Sequence, residues 1–168
     1  MLKIFSTQLT GVFKKIVEEE EFPLEDGARL LAQASVGNGH IYLFGTKEMK
    51  AVEYEATEGA EPLKGAKILV KSKMDQLTDA DRVLVISRFA DDEEVNEIAS
   101  LLHEKGIPFV SISTGTAEYA DVHIDLKLTK GLLPDEDGNR FGYPASIAAL
   151  FAYYGLKFAI DEMLSEYE

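Results

Sequence analysis

The first part of the chain places apolar residues at three- and four-residue steps, the spacing of an amphipathic helix. This pattern predicts a helix over 2–17, followed by a solvated acidic end at 18–21. Pro23 is expected to break the helix, because proline lacks the backbone N–H that a helix interior needs. The periodicity then resumes over 24–36. We therefore predict that the chain begins with a helical hairpin over 1–37.

The pattern changes after this hairpin to short, nearly continuous apolar runs. Such runs are typical of parallel strands that are covered on both faces of a sheet. Helical patterns over 47–58 and 91–105 lie between some of the runs, as in right-handed βαβ crossovers. The five predicted strands occupy 40–45, 66–70, 82–87, 108–112 and 122–126.

The last part of the chain combines a polar connection with an apolar helix. The residues 127–142 are rich in Gly, Pro and Asp, and this composition predicts an irregular, mobile loop. Pro144 is suited to the first turn of a final helix, predicted over 143–168. No charged residue occurs over 141–156, so we expect burial by the sheet on one side and by a partner subunit on the other. Burial wholly inside one subunit is the alternative.

Together these elements predict an α/β fold in a single domain over 1–168. Its length of 168 residues suits one domain. We expect a three-layer αβα sandwich with a five-stranded parallel sheet over 40–126, preceded by the helical hairpin and closed by the C-terminal helix.

Composition narrows the classes of function. The 17 Lys and Arg against 30 Asp and Glu leave a net charge of −13, which disfavours nucleic acids and anionic membranes as partners. No cysteine is present, so thiolate chemistry, cysteine zinc sites and iron–sulfur clusters are excluded. The three histidines lie far apart, without metal-ligand spacing. We predict no metal and no cofactor. The N-terminus lacks the features of a signal peptide, and we expect a cytoplasmic protein.

Candidate binding residues follow the first, third and fourth predicted strands. Ligands of open α/β sheets bind at the carboxyl ends of the strands, near the point where strand order reverses. Hydroxyls and cations at these ends favour a small anion such as a phosphate group. The predicted ligand-binding residues are Thr46, Lys47, Ser87, Arg88, Ser113 and Thr114.

Helix capping is the competing interpretation of the same loops. Thr46 is a good N-cap for the helix after the first strand. Asp91 and Glu94 have the spacing of a capping box for the next helix, where acidic side chains also repel phosphate.

The order of these features, with Gly45 after the first strand and Ser87 after the third, resembles the SIS (sugar isomerase) fold, and most closely its phosphoheptose isomerase branch. The segments 2–11 and 25–34 also resemble a small uncharacterised bacterial family assigned to that fold. The resemblance implies a flavodoxin-like sheet, a phosphosugar ligand, and dimers or tetramers.

The phosphate-binding motifs of the SIS fold are degenerate in this chain. In the Gly-x-Gly-x-Ser motif, Lys47 replaces the second glycine and Met49 replaces the serine. In the Ser-x-Ser-Gly-x-Thr motif only Ser87 is kept. The resemblance implies a catalytic glutamate near Glu58, but no histidine follows His123 to supply the family's histidine on the last helix.

Two functions remain open on this evidence. One is phosphosugar binding with aldose–ketose isomerisation, for which Glu58 is the candidate acid–base residue. The other is a non-catalytic binding, regulatory or oligomeric structural module that has lost the phosphate cradle. In either case we expect a homodimer or higher homo-oligomer formed through the C-terminal helix.

Overall fold

The computed structural model describes residues 1–168 and begins with two consecutive helices, α1 (Leu2–Glu19) and α2 (Glu21–Val36). The break falls at Glu20 rather than at Pro23, which lies in the first turn of α2, where no intrahelical N–H is required. Glu20 is not part of a solvated acidic end. It is buried, and its carboxylate accepts the backbone N–H of Asp125 at 2.6 Å, so it fixes this corner to the sheet.

A five-stranded parallel sheet forms the centre of the molecule, in the strand order β2-β1-β3-β4-β5. The order reverses beside β1, which lies between β2 and β3, as the flavodoxin-like prediction requires. The predicted αβα sandwich is confirmed. The strands are β1 (Ile41–Gly45), β2 (Ala66–Ile68), β3 (Arg82–Phe89), β4 (Phe109–Thr114) and β5 (Val122–Asp125).

Helices cover both faces of the sheet. One face carries α2, α3 (Lys50–Glu58) and α5 (Ala145–Ser165), and its core contains 26 buried residues. The other face carries α4 (Glu93–Lys105) and a short 3-10 segment, Lys71–Gln76, over a smaller core of 12 residues. The strands are therefore apolar on both sides, which explains why they are continuous apolar runs in the sequence.

Most of α5 is covered within the chain itself. It packs against α1, α2, α3 and the sheet, and the ring of Phe151 stacks on Phe13 with centroids 4.3 Å apart. Ile147 and Phe158 remain 41% and 61% exposed. Any partner surface on α5 is therefore confined to these side chains and their neighbours. No helix of the chain, α5 included, combines the length and hydropathy needed to cross a bilayer.

The predicted irregular loop over 127–142 contains a small antiparallel hairpin, β6 (Leu133–Pro134) and β7 (Arg140–Phe141). Its turn is ordered by Asp135, whose carboxylate accepts the N–H groups of Asp137 and Asn139 at 2.9 and 2.7 Å. The expectation of an irregular loop was wrong for this part, because the side chain of Asp135 supplies the turn's hydrogen bonds. The mobility of the loop stays a prediction.

The capping prediction for α4 was off by one residue. Asp92 rather than Asp91 is the N-cap, and its carboxylate accepts the N–H of Glu94 at 3.1 Å. Gly106 ends the helix with a φ of 68°, a left-handed conformation that glycine adopts without strain.

Candidate functional site

The turns that follow β1 and β3 meet at the carboxyl edge of the sheet. Gly45 is paired with Ile86 across the two strands, and the N–H of Thr46 donates to the carbonyl of Ile86 at 3.1 Å. The structure therefore places these two turns side by side at the edge where binding residues were predicted.

Tight packing at the end of β1 explains Gly45. A Cβ at this position would lie 2.5 Å from the carbonyl oxygen of Met49, well inside contact distance. The N–H of Gly45 donates to the buried carboxylate of Glu53 at 2.9 Å. Met49 is fully buried in the core and does not block the edge. The glycine is thus required by the chain's own backbone, whatever it binds.

Lys47 occupies the position of the family motif's second glycine in a backbone conformation that glycine would adopt more easily. Its φ is 50°, which costs a non-glycine residue about 1 kcal/mol. It begins a 3-10 turn, Lys47–Met49, that precedes α3 where one continuous helix was predicted. Its ammonium lies 3.6 Å from the carboxylate of Asp92, so the two turns are joined by an ion pair.

A cleft of about 390 Å³ opens beside this edge. We call it the Arg88 cleft. Arg88 donates to the carboxylate of Glu48 at 2.5 Å, and both side chains are about one-third exposed. The cleft is lined by Glu48, Arg88, Phe89, Thr129, Lys130 and Tyr143.

The electrostatics of the Arg88 cleft combine two cations, one carboxylate and one phenol. The hydrogen bond from Arg88 to Glu48 raises the pKa of the guanidinium, which stays charged. Burial raises the pKa of Tyr143, although its hydrogen bond to Thr114 and the charge of Arg88 oppose this shift. Tyr143 is therefore a neutral phenol at physiological pH, and its hydroxyl donates to the carbonyl of Leu128.

A smaller cleft of about 320 Å³ adjoins the first and shares Phe89 and Thr129 with it. Thr114 and Gly115, at the end of β4, line this second cleft. The carboxyl edges of β3 and β4 are therefore both next to open space, as expected for the ligand-binding edge of such a sheet.

Only part of the predicted binding set reaches these clefts. Arg88 lines the first cleft and Thr114 lines the second. The other three hydroxyl residues, Thr46, Ser87 and Ser113, are at most 2% exposed, so their proposed contact with a ligand is not available in this structure.

The hydroxyls on the edge bind within the chain instead. Ser87 donates to the carbonyl of Phe89 at 2.8 Å, and Ser113 lies 3.4 Å from Ser111. Thr114 accepts the N–H of Leu128 at 3.0 Å. Thr46 holds the N-cap position of the 3-10 turn, but its side chain makes no capping bond.

The structure does not bring Glu58 to either cleft. Glu58 is the exposed last residue of α3, whose first residue, Lys50, bonds to the carbonyl of Gly45 at the sheet edge. At 1.5 Å per residue, the helix carries Glu58 about 12 Å away along its axis. The position of Glu58 in the sequence is near that of the family's glutamate, but the direction of α3 separates Glu58 from the cleft.

Of the six residues that line the Arg88 cleft, only Arg88 was predicted as a binding residue; the charged and phenolic side chains that were missed are Glu48, Lys130 and Tyr143. Glu48 stands in the turn after β1, between two predicted site residues. Lys130 and Tyr143 come from the region 127–143 and lie 42 and 55 residues beyond Arg88. Only the folding of this region over the edge of β3 and β4 brings them together. No group of three or more acidic or histidine side chains is arranged to hold a metal ion.

Comparisons with known proteins agree with this architecture. The fold is similar to that of the c3406 protein of E. coli CFT073, at 13% identity and a TM-score of 0.69, over 98% of this chain and 89% of that one. It is also similar to a phosphoheptose isomerase from Francisella tularensis, at 11% identity and a TM-score of 0.66, over 95% of each chain. A third similar structure is the Vibrio vulnificus NanR protein complexed with ManNAc-6P, at 14% identity and a TM-score of 0.70, over 99% of this chain and 62% of that one. At such low identity these similarities establish the fold alone, and they confirm the SIS resemblance at that level.

Sequence comparison identifies the family. The Bacillus subtilis (strain 168) protein YwjG, described as uncharacterized, is 45% identical over 173 residues, which cover 99% of each chain. A family model described as "Domain of unknown function (DUF2529)" matches residues 1–164. The chain therefore belongs to the DUF2529 family and has the fold of the SIS domains.

Proposed function

We propose that the protein binds a phosphosugar in the Arg88 cleft and interconverts its aldose and ketose forms. One observation carries the proposal: Arg88, Lys130, Glu48 and Tyr143 line a single cleft at the carboxyl edge of the sheet. The cleft has the volume of a small-molecule site, at about 390 Å³. We also propose that the protein is located in the cytoplasm, because a chain without cysteine suits a reducing compartment.

The two cations of the cleft bind the phosphate group in this proposal. Arg88 uses a single nitrogen on Glu48, and a guanidinium carries five N–H donors in a planar fork that matches phosphate oxygens. Lys130 lines the same cleft and makes no ion pair within the chain. In a protein with a net charge of −13, two cations in one cleft are the local condition that an anionic substrate needs.

The carboxylate and the phenol of the cleft carry out the proton transfers in this proposal. In an aldose–ketose isomerisation, a base removes a proton from the carbon beside the carbonyl and returns it to the former carbonyl carbon. A second group supplies a proton to the carbonyl oxygen and takes one from the neighbouring hydroxyl, so that no net proton is gained or lost. Glu48 is the base in this proposal. The neutral Tyr143 is the acid, and its hydroxyl turns from the carbonyl of Leu128 to the substrate oxygen when the substrate binds.

The names of the structural neighbours support the substrate class. One neighbour is described as complexed with ManNAc-6P, and another is a phosphoheptose isomerase. A non-catalytic binding or regulatory module remains the alternative function. Turnover distinguishes the two, because such a module is stabilised by a phosphosugar without converting it.

Binding is tested with a panel of pentose, hexose and heptose phosphates, by ligand-dependent thermal stabilisation and by calorimetry. Replacing Arg88→Gln is expected to weaken binding of the best ligand about 10- to 100-fold, the effect of losing one charge-assisted contact to phosphate. Arg29→Gln is the matched control, because Arg29 is also paired with acidic neighbours but lies on α2. Equal affinities of the two variants would contradict the proposed phosphate site.

We also propose that the protein is a homodimer or higher homo-oligomer through the exposed side of α5. Phe158 is 61% exposed there and packs against Tyr154. The ring of Phe151 stacks on Phe13 within the chain and is therefore less available to a partner. Phe158→Glu is expected to produce monomers in analytical ultracentrifugation, because a charge cannot be buried unpaired in an apolar interface. Tyr119→Glu, on the α4 side of the sheet, should leave the assembly intact. An oligomer unchanged by Phe158→Glu would exclude this interface.

A further inference from the structure

A separate basic cleft lies between α1 and the segment 126–132, and we call it the α1 cleft. Its volume is about 320 Å³. Gln8 and Lys15 line it from α1, and Lys127, Lys130 and Arg140 line it from the opposite wall. Four of the chain's 17 basic residues therefore surround one small cleft, although acidic residues outnumber basic ones by 30 to 17.

Three of these four cations form no direct ion pair. Lys15, Lys130 and Arg140 form no ion pair within 4.0 Å, whereas Lys127 is bound to Glu19. Arg140 donates only to the backbone carbonyls of Gly131 and Leu132, both at 3.1 Å, which orients its guanidinium while leaving N–H donors unused. Lys15 lies close enough to Glu19 for its charge to help lower the pKa of that carboxyl, so Lys130 and Arg140 are the cations of the cleft with the least compensation. Like charges in one cleft repel each other and favour an anion between them.

The backbone of the same wall adds further donors. The amide groups of Thr129, Lys130 and Gly131 donate no hydrogen bond to any acceptor in the chain. Gly131 is itself buried, and buried amides almost always have a partner. Because these three residues line the α1 cleft, their unused N–H groups are donors at its wall.

Gly11, on the α1 side of the cleft, is a second and independent indication of a binding site. It lies in the interior of a helix, where glycine is less favourable than alanine by about 1 kcal/mol. Packing does not explain it, because a Cβ at Gly11 would meet nothing within 4 Å. Its position between Gln8 and Lys15 leaves the cleft open where any longer side chain would project.

We propose that the α1 cleft is a second anion site, which binds a free phosphate or pyrophosphate, or the phosphate group of a small metabolite. The volume of about 320 Å³ admits ligands of this size and lies at the lower end of the range for small-molecule sites. The site is distinct from the Arg88 cleft, although Lys130 lines both. An anion in the α1 cleft would draw the ammonium of Lys130 to that side of the wall.

The test is a titration with pyrophosphate, orthophosphate and glycerol phosphate, followed by calorimetry and by backbone amide NMR shifts at residues 129–131. The first two probes report binding of a free anion, and the third reports binding of a phosphomonoester. We expect Lys15→Glu to weaken binding of the best probe at least about tenfold, the equivalent of 1.4 kcal/mol. Lys14→Glu is the matched control, because Lys14 is exposed on the same helix, outside the cleft.

Gly11→Glu provides a second variant, which should abolish binding by placing a carboxylate in the cleft mouth. Both substituted positions are exposed, so the melting temperatures of the variants should remain near that of the wild type. Absence of binding for all three probes, or equal losses for Lys15→Glu and Lys14→Glu, would overturn the proposal. Arg88→Gln should leave the pyrophosphate-induced amide shifts at residues 129–131 unchanged, whereas Lys15→Glu should remove them, which separates this site from the proposed phosphosugar site.

Discussion

Replacing Glu48→Gln is expected to reduce turnover of the phosphosugar substrate about 10²- to 10⁴-fold, the usual contribution of a general base. The amide keeps the size of the side chain and its hydrogen bond to Arg88 but cannot accept the substrate proton. Binding should be preserved or become tighter, since the variant no longer holds a negative charge 2.5 Å from Arg88. Opposite effects on turnover and affinity are the signature of a base that also neutralises the phosphate site. A coupled enzyme assay measures turnover, and calorimetry measures affinity.

Glu58→Gln is the matched control for this prediction. Glu58 has the same chemistry and lies on the helix that follows Glu48, but it is exposed and remote from the cleft. Turnover by the Glu58→Gln variant should stay within about twofold of the wild type, as expected for a substitution outside the site. If instead Glu58→Gln abolishes turnover and Glu48→Gln does not, the base assigned by the family resemblance is correct and the one assigned from the cleft is wrong. Absence of turnover in the wild-type protein would favour the binding module.

Gly45→Ala is expected to destabilise the protein by about 3 kcal/mol, a large value for the addition of one methyl group. The new Cβ would lie 2.5 Å from the oxygen and 2.7 Å from the carbonyl carbon of Met49, and both are backbone atoms that rotamer changes cannot move. The end of β1 would have to shift, which strains the bond between Gly45 N–H and the buried Glu53 carboxylate. In a chain of this size, the melting temperature should fall by about 6–12 °C.

Gly11→Ala should change the free energy of unfolding in the opposite direction. A Cβ at Gly11 contacts nothing, so the helix propensity of alanine is expected to stabilise α1 by up to about 1 kcal/mol. Chemical denaturation of both variants measures the contrast directly. A Gly45→Ala protein as stable as the wild type would mean that the packing of the turn does not require glycine at this position.

Secondary structure was largely predictable because burial on both sides of the sheet leaves a strong pattern in the sequence. The strands β1, β3 and β4 are apolar on both faces, and they were found within two residues of their observed ends. The hairpin β6–β7 was missed because its strands are two residues long and depend on the side chain of Asp135. The acidic run that ends α1 was misjudged because Glu20 finds its hydrogen-bond partner 105 residues later.

The sites could be predicted only in part, and the reason is again separation along the chain. Arg88 was identified because it lies at the carboxyl end of a predicted strand of the sheet. Ser87 and Ser113 follow the same rule, but both are buried in the structure, where they bond to the chain itself. The α1 cleft has no motif at all, since Lys15 and Arg140 meet only after folding.

By itself, the sequence determined the parallel sheet, its covering helices and the edge at which ligands bind, because hydrophobic periodicity and strand–helix alternation are local properties of the chain. Tertiary structure alone decided which polar side chains share a cleft. Side chains distant in sequence are brought within a few ångströms by strand order and by the region 127–143, and whether a hydroxyl or a charge is free depends on which partner it finds there. Arg88, Lys130 and Tyr143 became a site in this way, while Thr46, Ser87 and Ser113 became part of the scaffold.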